Sequence, residues 1–182
     1  MTNILQAQDQ YIMKHLNIPG SLFSFRRFYT DMVNELDGIF VEVGVFEGTS
    51  FSYLVVEAIN SGKKIECYAV DAFPWEDLYP RFEKNMNPLE GNFKVIKANS
   101  DQAAANFEDG SVSLVFIDAN HTKPFVEADI KAWLPKIKKG GVISGHDYND
   151  QHTGLCEAVN EAFGNAVDNS YIDEGVWMVK IK

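Results

Sequence analysis

The sequence has little or nothing of what several protein classes require. With only two cysteines in 182 residues, no disulfide framework is expected, and a reducing, cytoplasmic location fits better. No run of about 18 apolar residues is present, so no transmembrane helix is expected. The first ten residues lack the basic and apolar segments of a secretory signal, and none is expected. Acidic residues (26) outnumber basic ones (16), and the net charge of −10 disfavours nucleic acid as a main partner.

The composition is that of one globular domain with a sizeable core. Of the residues, 46% are hydrophobic and 13% aromatic, and no repeat, low-complexity tract or linker divides the chain. We therefore expect a single domain over residues 1–182. It would consist of an N-terminal helical segment over 1–37 and a core over 38–182.

Hydrophobic patterns alternate between the strand and helix types along the core. After an amphipathic helix from Leu22 to Leu36, strands are predicted at 39–43, 64–70, 93–97, 112–117, 142–144, 168–173 and 175–181. Helices are predicted over 49–61, 75–86, 101–107, around Val126–Leu134 and over Leu155–Phe163. This alternation is typical of an α/β, Rossmann-like three-layer sandwich with a mostly parallel, seven-stranded sheet. Because only about two residues join the last two strands, they should form a hairpin, with the final strand antiparallel.

The junction between the first strand and the second helix is the most informative local pattern. Strand 39–43 runs into a loop with Gly44 and Gly48, and a helix begins at Thr49. A buried strand, a tight glycine loop and a helix N-terminus in that order are typical of nucleotide-type ligand sites. The pyrophosphate-binding pattern G-x-G-x-x-G is absent, since Phe46 occupies its second glycine position. The pattern therefore predicts a nucleoside ligand without a diphosphate.

Polar residues follow the first three strands. Asp71 ends the second strand about 20 residues beyond Gly48, where an acidic residue binds ribose hydroxyls in such folds; a turn aspartate is the alternative. Glu42, at the end of the first strand, must be paired or solvated, by backbone groups or by a ligand ammonium group. Asn99–Asp101 ends the third strand, where contacts with an adenine edge compete with Ser100 simply capping the next helix.

A second group of polar residues follows the fourth and fifth strands. Asp118 ends the fourth strand, and His146 and Asp147 end the fifth. Adjacent strands would bring these three side chains to one rim, where two carboxylates and an imidazole suit a divalent cation such as Mg²⁺ or Mn²⁺. Ordinary loop roles for Asp118 and His146 remain the alternative. His121, three residues past Asp118, is a candidate general base or a plain loop histidine.

Taken together, these motifs resemble those of a known family. The pattern includes Glu42-x-Gly44-x-x-x-Gly48-x-Ser50, Asp71 after a strand, Asp118-x-x-His121, Asp129, Trp133 and the segment Gly140 to Tyr148. It resembles class I S-adenosylmethionine-dependent methyltransferases over about residues 38–182. Within them it is most similar to the small-molecule branch that contains macrocin-type O-methyltransferases, and more distantly to catechol O-methyltransferase.

The resemblance implies roles for individual residues. Glu42, Gly44, Gly48 and Ser50 would line the methionine end of S-adenosylmethionine, Asp71 would bind both ribose hydroxyls, and Asn99–Asp101 would flank adenine. The full cofactor-binding set that it implies is Glu42, Gly44, Val45, Phe46, Gly48, Thr49, Ser50, Asp71, Ala72, Phe73, Asn99, Ser100, Asp101 and Asp118.

The resemblance also implies a metal site and a base. Asp118, His146 and Asp147 match the three metal-ligand positions, and His121 matches the catalytic base, with Asp118 beside it. One departure stands out: His146 occupies a position that is usually acidic, which leaves a softer metal than Mg²⁺, or no metal, as alternatives. The catechol-type enzymes carry a lysine where His121 stands. The implied reaction is in-line methyl transfer to a hydroxyl that a cation holds and His121 deprotonates.

Two other functions remain open at this point. The chain could bind S-adenosylmethionine without methyl transfer, or it could be a hydroxylase-like enzyme on the same scaffold, since fold does not fix chemistry. The expected partner is a small-molecule acceptor, with no nucleic acid and no membrane. The acceptor's identity stays open, as does the oligomeric state, although the aromatic N-terminal helix slightly favours a homodimer.

Overall fold

The computed structural model describes residues 13–18 and 23–182, and this part of the chain contains six strands and six α-helices. The strands are β1 (Gly38–Val43), β2 (Ile65–Asp71), β3 (Phe93–Lys97), β4 (Val112–Ile117), β5 (Ile137–Gly145) and β6 (Trp177–Lys180). The helices are α1 (Arg26–Glu35), α2 (Thr49–Ser61), α3 (Leu78–Met86), α4 (Ser100–Ala104), α5 (Lys123–Trp133) and α6 (Thr153–Phe163).

The six strands form one sheet in the order β3-β2-β1-β4-β5-β6. The first five are parallel, and β6 pairs antiparallel with β5. All six residues of β4, in the middle of the sheet, are buried, as expected for a parallel strand that helices cover on both faces. Because the carboxyl ends of the five parallel strands lie at one edge, the residues that follow them converge there.

Two hydrophobic clusters, one on each face of the sheet, make the three layers. Phe28, Phe51 and Phe82 bring α1, α2 and α3 onto one face. Trp133 and Val159 bring α5 and α6 onto the other. The prediction of a Rossmann-like α/β sandwich with an antiparallel last strand is confirmed.

The N-terminal helix is shorter than the hydrophobic pattern predicts. It spans Arg26–Glu35, whereas the predicted helix runs from Leu22 to Leu36. The described residues do not include 1–12 and 19–22 of the expected helical segment, and Leu22 is among these. Phe28 and Tyr29 are fully buried, so the aromatic face of α1 packs into the core.

The prediction of a strand at 168–173, the sixth of the seven predicted strands, is wrong. The carboxylate of Asp168 accepts hydrogen bonds from both the backbone N–H and the hydroxyl of Ser170, which turns the chain out of the extended conformation. A 3₁₀ turn follows at Ile172–Glu174, and Asp168 retains an isolated bridge to Met178. The sheet therefore has six strands, and β6 lies against β5 without the expected hairpin partner.

Candidate functional site

A cavity of about 700 Å³ opens at the carboxyl edge of the sheet, between the ends of β1, β2, β3 and β4. Its size is in the range of about 300–1,000 Å³ that is usual for small-molecule sites. The predicted site residues among those lining it are Gly44, Phe46, Asp71, Ala72, Asn99, Ser100, Asp101 and Asp118. We call this space the edge cavity.

The carboxylate of Asp71 holds together two loops of the edge cavity. Its Oδ2 accepts the backbone N–H of Phe46 at 3.0 Å, and its Oδ1 accepts that of Phe73 at 2.7 Å. Phe46 and Phe73 both have positive φ angles, of 47° and 46°, a conformation that costs a non-glycine residue energy unless its surroundings fix it. Each carboxylate oxygen has a further lone pair for a ligand hydroxyl. Asp71 thus both shapes the cavity and presents acceptors to it.

Glu42 lies beneath the edge cavity and not on its wall. Its side chain is completely buried, and its carboxylate accepts hydrogen bonds from the hydroxyls of Tyr29 at 2.6 Å and Ser50 at 2.5 Å. Burial raises the pKa of this carboxyl to about 8, against the two hydrogen bonds, with the charges of Asp118 and Asp71 adding to the rise. The pairing that a buried carboxylate requires therefore comes from within the chain.

The two loop glycines serve packing between elements. A Cβ on Gly44, whose φ is +90°, would lie 2.2 Å from the carbonyl oxygen of Asp118, so only glycine lets β1 and β4 end this close together. Gly48, with φ +88°, packs against Met86 of α3 and precedes the first turn of α2. In that turn the buried hydroxyl of Thr49 has no hydrogen-bond partner in the described chain. An unsatisfied buried hydroxyl at a helix N-terminus is a feature that a polar ligand group would explain.

The rest of the predicted cofactor set is divided between the cavity wall and the layer behind it. Val45 is buried in the core, and Phe73 packs edge-on against Tyr79. Neither of these two residues lines the edge cavity, nor do Gly48, Thr49 and Ser50.

Polar side chains of α4 and α5 line the part of the edge cavity beyond β3. Ser100 begins α4, and its hydroxyl accepts a hydrogen bond from Trp133 Nε1 at 2.9 Å. Asn99 is the N-cap residue but makes no side-chain capping bond. Asp129 also lines the cavity, and burial raises its pKa to about 6. The roles of Ser100 here are therefore to anchor α5 and to face the cavity.

Asp118, His146 and Asp147 lie together at the rim, each following or ending a central strand. His146 Nδ1 lies 4.0 Å from Asp118 Oδ1 and 3.4 Å from Asp147 Oδ1. One ligand atom from each residue lies within 4.8 Å of the others, and all three side chains are half-buried. Two carboxylates and one imidazole at this spacing fit a divalent cation. The Nε2 atom of His146 is 3.3 Å from the hydroxyl of Ser24, which fixes the ring.

His121 lies against both carboxylates of this rim. Its Nε2 atom is 3.2 Å from Asp147 Oδ2 and 3.5 Å from Asp118 Oδ1. Neither approach meets the geometry of a hydrogen bond in full, so this buried nitrogen has no well-formed partner in the described chain. The pKa of His121 is raised from its usual 6.5, chiefly by Asp118 and further by the charge of Asp147, against the effect of burial.

Several site residues were not predicted from the sequence. Trp75 and Phe125, which line the edge cavity, are 58% and 57% exposed, unusual for large apolar side chains. The sequence signals that could have identified them were the position of Trp75 directly after Pro74 and that of Phe125 at the start of a helix. His152 stands at the N-cap of α6, 3.8 Å from Asp147 Oδ1. Its spacing from His146 matched no metal-binding motif considered above.

No helix in the described part of the chain combines the length and apolar character needed to cross a membrane.

Comparison with known proteins gives a family match, a sequence relative and many structural matches. Residues 41–148 match the family model described as a methyltransferase domain. "Uncharacterized protein y4gI" of Sinorhizobium fredii (strain NBRC 101917 / NGR234) is 28% identical over 124 residues. That match covers 63% of this chain but only 14% of the relative, so the chain spans a small part of the curated protein.

Solved structures share the fold at low sequence identity. The O-methyltransferase NovP is 13% identical with a TM-score of 0.67, covering 86% of this chain and 79% of NovP. The Podospora anserina methyltransferase PaMTH1, bound to SAH, is 14% identical with a TM-score of 0.66, covering 86% and 77%. A putative rRNA-methylase from Clostridium thermocellum is 13% identical with a TM-score of 0.65, covering 88% and 97%. At these identities the likeness is one of fold.

Proposed function

The chain belongs to the methyltransferase domain family, and on that premise we propose that it transfers a methyl group from S-adenosylmethionine to a hydroxyl of a small molecule. The observation that carries this proposal is the edge cavity, with Asp71 on its wall at the end of β2. A nucleoside needs a pair of acceptors for its ribose hydroxyls and an apolar slot for its base. Asp71 supplies the acceptors, and Val70, Ala98 and Leu78 supply apolar wall.

Residues at and beside the edge cavity also fit S-adenosylmethionine in its other parts. The Thr49 hydroxyl lacks a partner at the N-terminus of α2, where a ligand carboxylate is electrostatically favoured. Asp118 joins the edge cavity to the rim, so a group bound near it lies between cofactor and acceptor. S-adenosylmethionine supplies an electrophilic methyl group on a sulfonium, which leaves orientation and charge control to the protein.

The rim supports the assignment of the acceptor group as a hydroxyl. Asp118, His146 and Asp147 would hold a divalent ion, which supplies a positive charge that favours the ionised form of a hydroxyl. His121 Nε2 faces this rim and would take the hydroxyl proton, while Asp118 and Asp147 stabilise the resulting imidazolium. A metal-binding rim with a base beside it suits methyl transfer to a hydroxyl better than methyl transfer to a group that has no proton to lose.

Charge supports a small acceptor over a nucleic acid. The chain carries a net charge of −10, and the edge cavity and rim present the carboxylates of Asp71, Asp101, Asp118 and Asp147. A polyanion would be repelled at such an edge. Neutral or cationic hydroxyl compounds, such as sugars and catechols, are therefore the acceptors to screen first.

The first test is S-adenosylmethionine binding by calorimetry, without metal, to the wild type and to Asp71→Asn. The substitution replaces a charged acceptor oxygen of Asp71 with an amide nitrogen. It should weaken S-adenosylmethionine binding by about 10- to 100-fold, because hydrogen bonds to charged groups contribute about 1.5–3 kcal/mol. Asp109→Asn, which removes an exposed carboxylate paired with Lys136, is the matched control and should bind normally. Absence of saturable binding to the wild type, or equal affinity for Asp71→Asn, contradicts the proposal.

The second test separates transfer from binding. Asp147→Asn should abolish metal-dependent formation of S-adenosylhomocysteine from an accepted hydroxyl compound, and it should leave S-adenosylmethionine affinity within about twofold, since Asp147 lies outside the edge cavity. Activity that survives both this substitution and a chelator would exclude the metal-assisted form of the mechanism.

A further inference from the structure

A tight turn after β5 places a third histidine at the rim. The chain turns at Asp147, whose φ is +58°, and the N–H of Asn149 donates to the carbonyl of Asp147. The N–H of His152 donates to the carbonyl of Asn149, and His152 occupies the N-cap position of α6 without a side-chain capping bond. This double turn brings His152 Nε2 to 3.8 Å from Asp147 Oδ1. Three of the four histidines of the chain thus meet at one place.

A second group of possible metal ligands consists of His121, Asp147 and His152. It shares Asp147 with the three rim residues of the proposed function but differs from them in its other two members. The ligand atoms of this second group lie within 4.8 Å of one another, and the rings of His121 and His152 are 4.6 Å apart at 62°. Two atoms that each bind Zn²⁺ at about 2.1 Å lie about 3.4 Å apart when the geometry is tetrahedral. His121 Nε2 lies 3.2 Å from Asp147 Oδ2 and His152 Nε2 lies 3.8 Å from Asp147 Oδ1, so each imidazole is within about 0.4 Å of that spacing from one oxygen of the carboxylate.

The chemistry of this group differs from that of a magnesium site. Two imidazoles and one carboxylate are ligands that Zn²⁺ and similar transition metal ions prefer, whereas Mg²⁺ prefers oxygen. His121 Nε2 is buried and has no hydrogen-bond partner in the described chain, as expected for a donor atom that awaits a ligand. We propose that His121, Asp147 and His152 bind a divalent transition metal ion of the Zn²⁺ type, with access through the groove between the starts of α5 and α6.

That groove supports access from solvent. It is lined by His121, His152 and neighbours at both helix starts, including Thr122 and Gln151. The side chains of His121 and His152 are 28% and 31% exposed, so the group lies near the surface, with the buried Nε2 atom of His121 on its inner side.

Occupation of this group has a consequence for the proposed reaction. An imidazole nitrogen bound to a metal ion has no lone pair left to accept a proton. An ion bound by His121, Asp147 and His152 would therefore prevent His121 from acting as the base. It would also compete for Asp147 with an ion bound at the rim. This consequence rests on the proposed function, whereas the binding itself does not.

The test is a Zn²⁺ titration of the chain without S-adenosylmethionine, in competition with a chromophoric chelator. His152→Ala should weaken the site by at least about tenfold, since even residues that only orient metal ligands contribute about 10- to 100-fold to affinity. His15→Ala is the matched control, because His15 pairs with Glu57 and lies outside the group. His146→Ala should retain the site, and millimolar Mg²⁺ should not displace Zn²⁺. Equal affinity of His152→Ala and wild type, or loss of the site in His146→Ala alone, overturns the proposal.

A second measurement needs no variant. In wild-type protein labelled at histidine, one equivalent of Zn²⁺ should shift the imidazole NMR signals of His121 and His152 and leave that of His15 in place. Unshifted signals for His152 overturn the proposal even if His152→Ala does not fold. Because neither measurement uses S-adenosylmethionine, a failure of methyl transfer and a failure of this site are distinguishable.

Discussion

The buried carboxyl of Glu42 predicts how the stability of the ligand-free protein varies with pH. In the unfolded chain this group ionises with its ordinary pKa of 4.5, whereas in the folded chain it keeps its proton up to about pH 8. The folded state therefore holds the extra proton between these values, and stability that is present below pH 4.5 is lost as the pH rises to about 8.

The substitution that isolates this effect is Glu42→Gln. The amide has the same shape, and the hydroxyls of Tyr29 and Ser50 can donate to its oxygen or accept from its nitrogen. At about 1.4 kcal/mol per pH unit, the raised pKa costs the wild type on the order of 4 kcal/mol at pH 8 and less than about 1 kcal/mol at pH 5. The variant should therefore exceed the wild type in stability at pH 8, and the two should be similar at pH 5.

Urea unfolding followed by circular dichroism at pH 5 and pH 8, without ligands, measures this difference. Glu108→Gln removes an exposed carboxylate instead and should show no such pH-dependent gain. A stability difference between Glu42→Gln and wild type that stays constant from pH 5 to pH 8 would refute the reasoning. Lower stability of the variant at pH 8 would refute it too, since Glu42 would then be stabilised as the anion.

Two further predictions concern packing around the site. Gly44→Ala should lower the free energy of unfolding by more than about 3 kcal/mol, because its Cβ would collide with the Asp118 backbone, while Gly110→Ala, also at positive φ but in open space, should cost about 1 kcal/mol in the same urea assay. Trp133→Phe removes the hydrogen bond to Ser100 from a fully buried position and should cost about 1–3 kcal/mol, again by urea unfolding; an unchanged midpoint would show that the bond contributes nothing.

The order of strands and helices was predictable because local patterns determine it. The helix over Thr49–Ser61 has its predicted bounds, since a glycine precedes it and another in the left-handed conformation ends it. The β-branched run of β4 was predicted for a similar reason, as a buried parallel strand needs continuous apolar residues. Parallel pairing then places Asp71, Asp118 and His146 at one edge without further information.

What failed depended on side-chain hydrogen bonds, local or between distant segments, that the hydrophobic pattern does not show. Residues 168–173 alternate like a strand, but the local bonds of Asp168 to Ser170 and the bond from the Tyr171 hydroxyl to Asp31 hold them in a turn. Of the two hydroxyl partners of Glu42, Tyr29 lies on α1, and no spacing rule connects it to Glu42. His152 lies at the rim because of the double turn over residues 147–152, which no motif in the sequence predicted.

The helix α1 links residues that are far apart along the chain. The hydroxyl of Ser24, just before α1, lies by His146, the N–H of Phe28 donates to Glu174, and Arg27 pairs with the same Glu174. These contacts join residues about 120 to 150 positions apart, and Tyr29 of the same helix pairs Glu42 under the cavity. During synthesis, α1 leaves the ribosome long before the loop that receives it. The contacts of α1 at the rim therefore wait until the chain has been made as far as Glu174, and forming them requires the closure of a long loop.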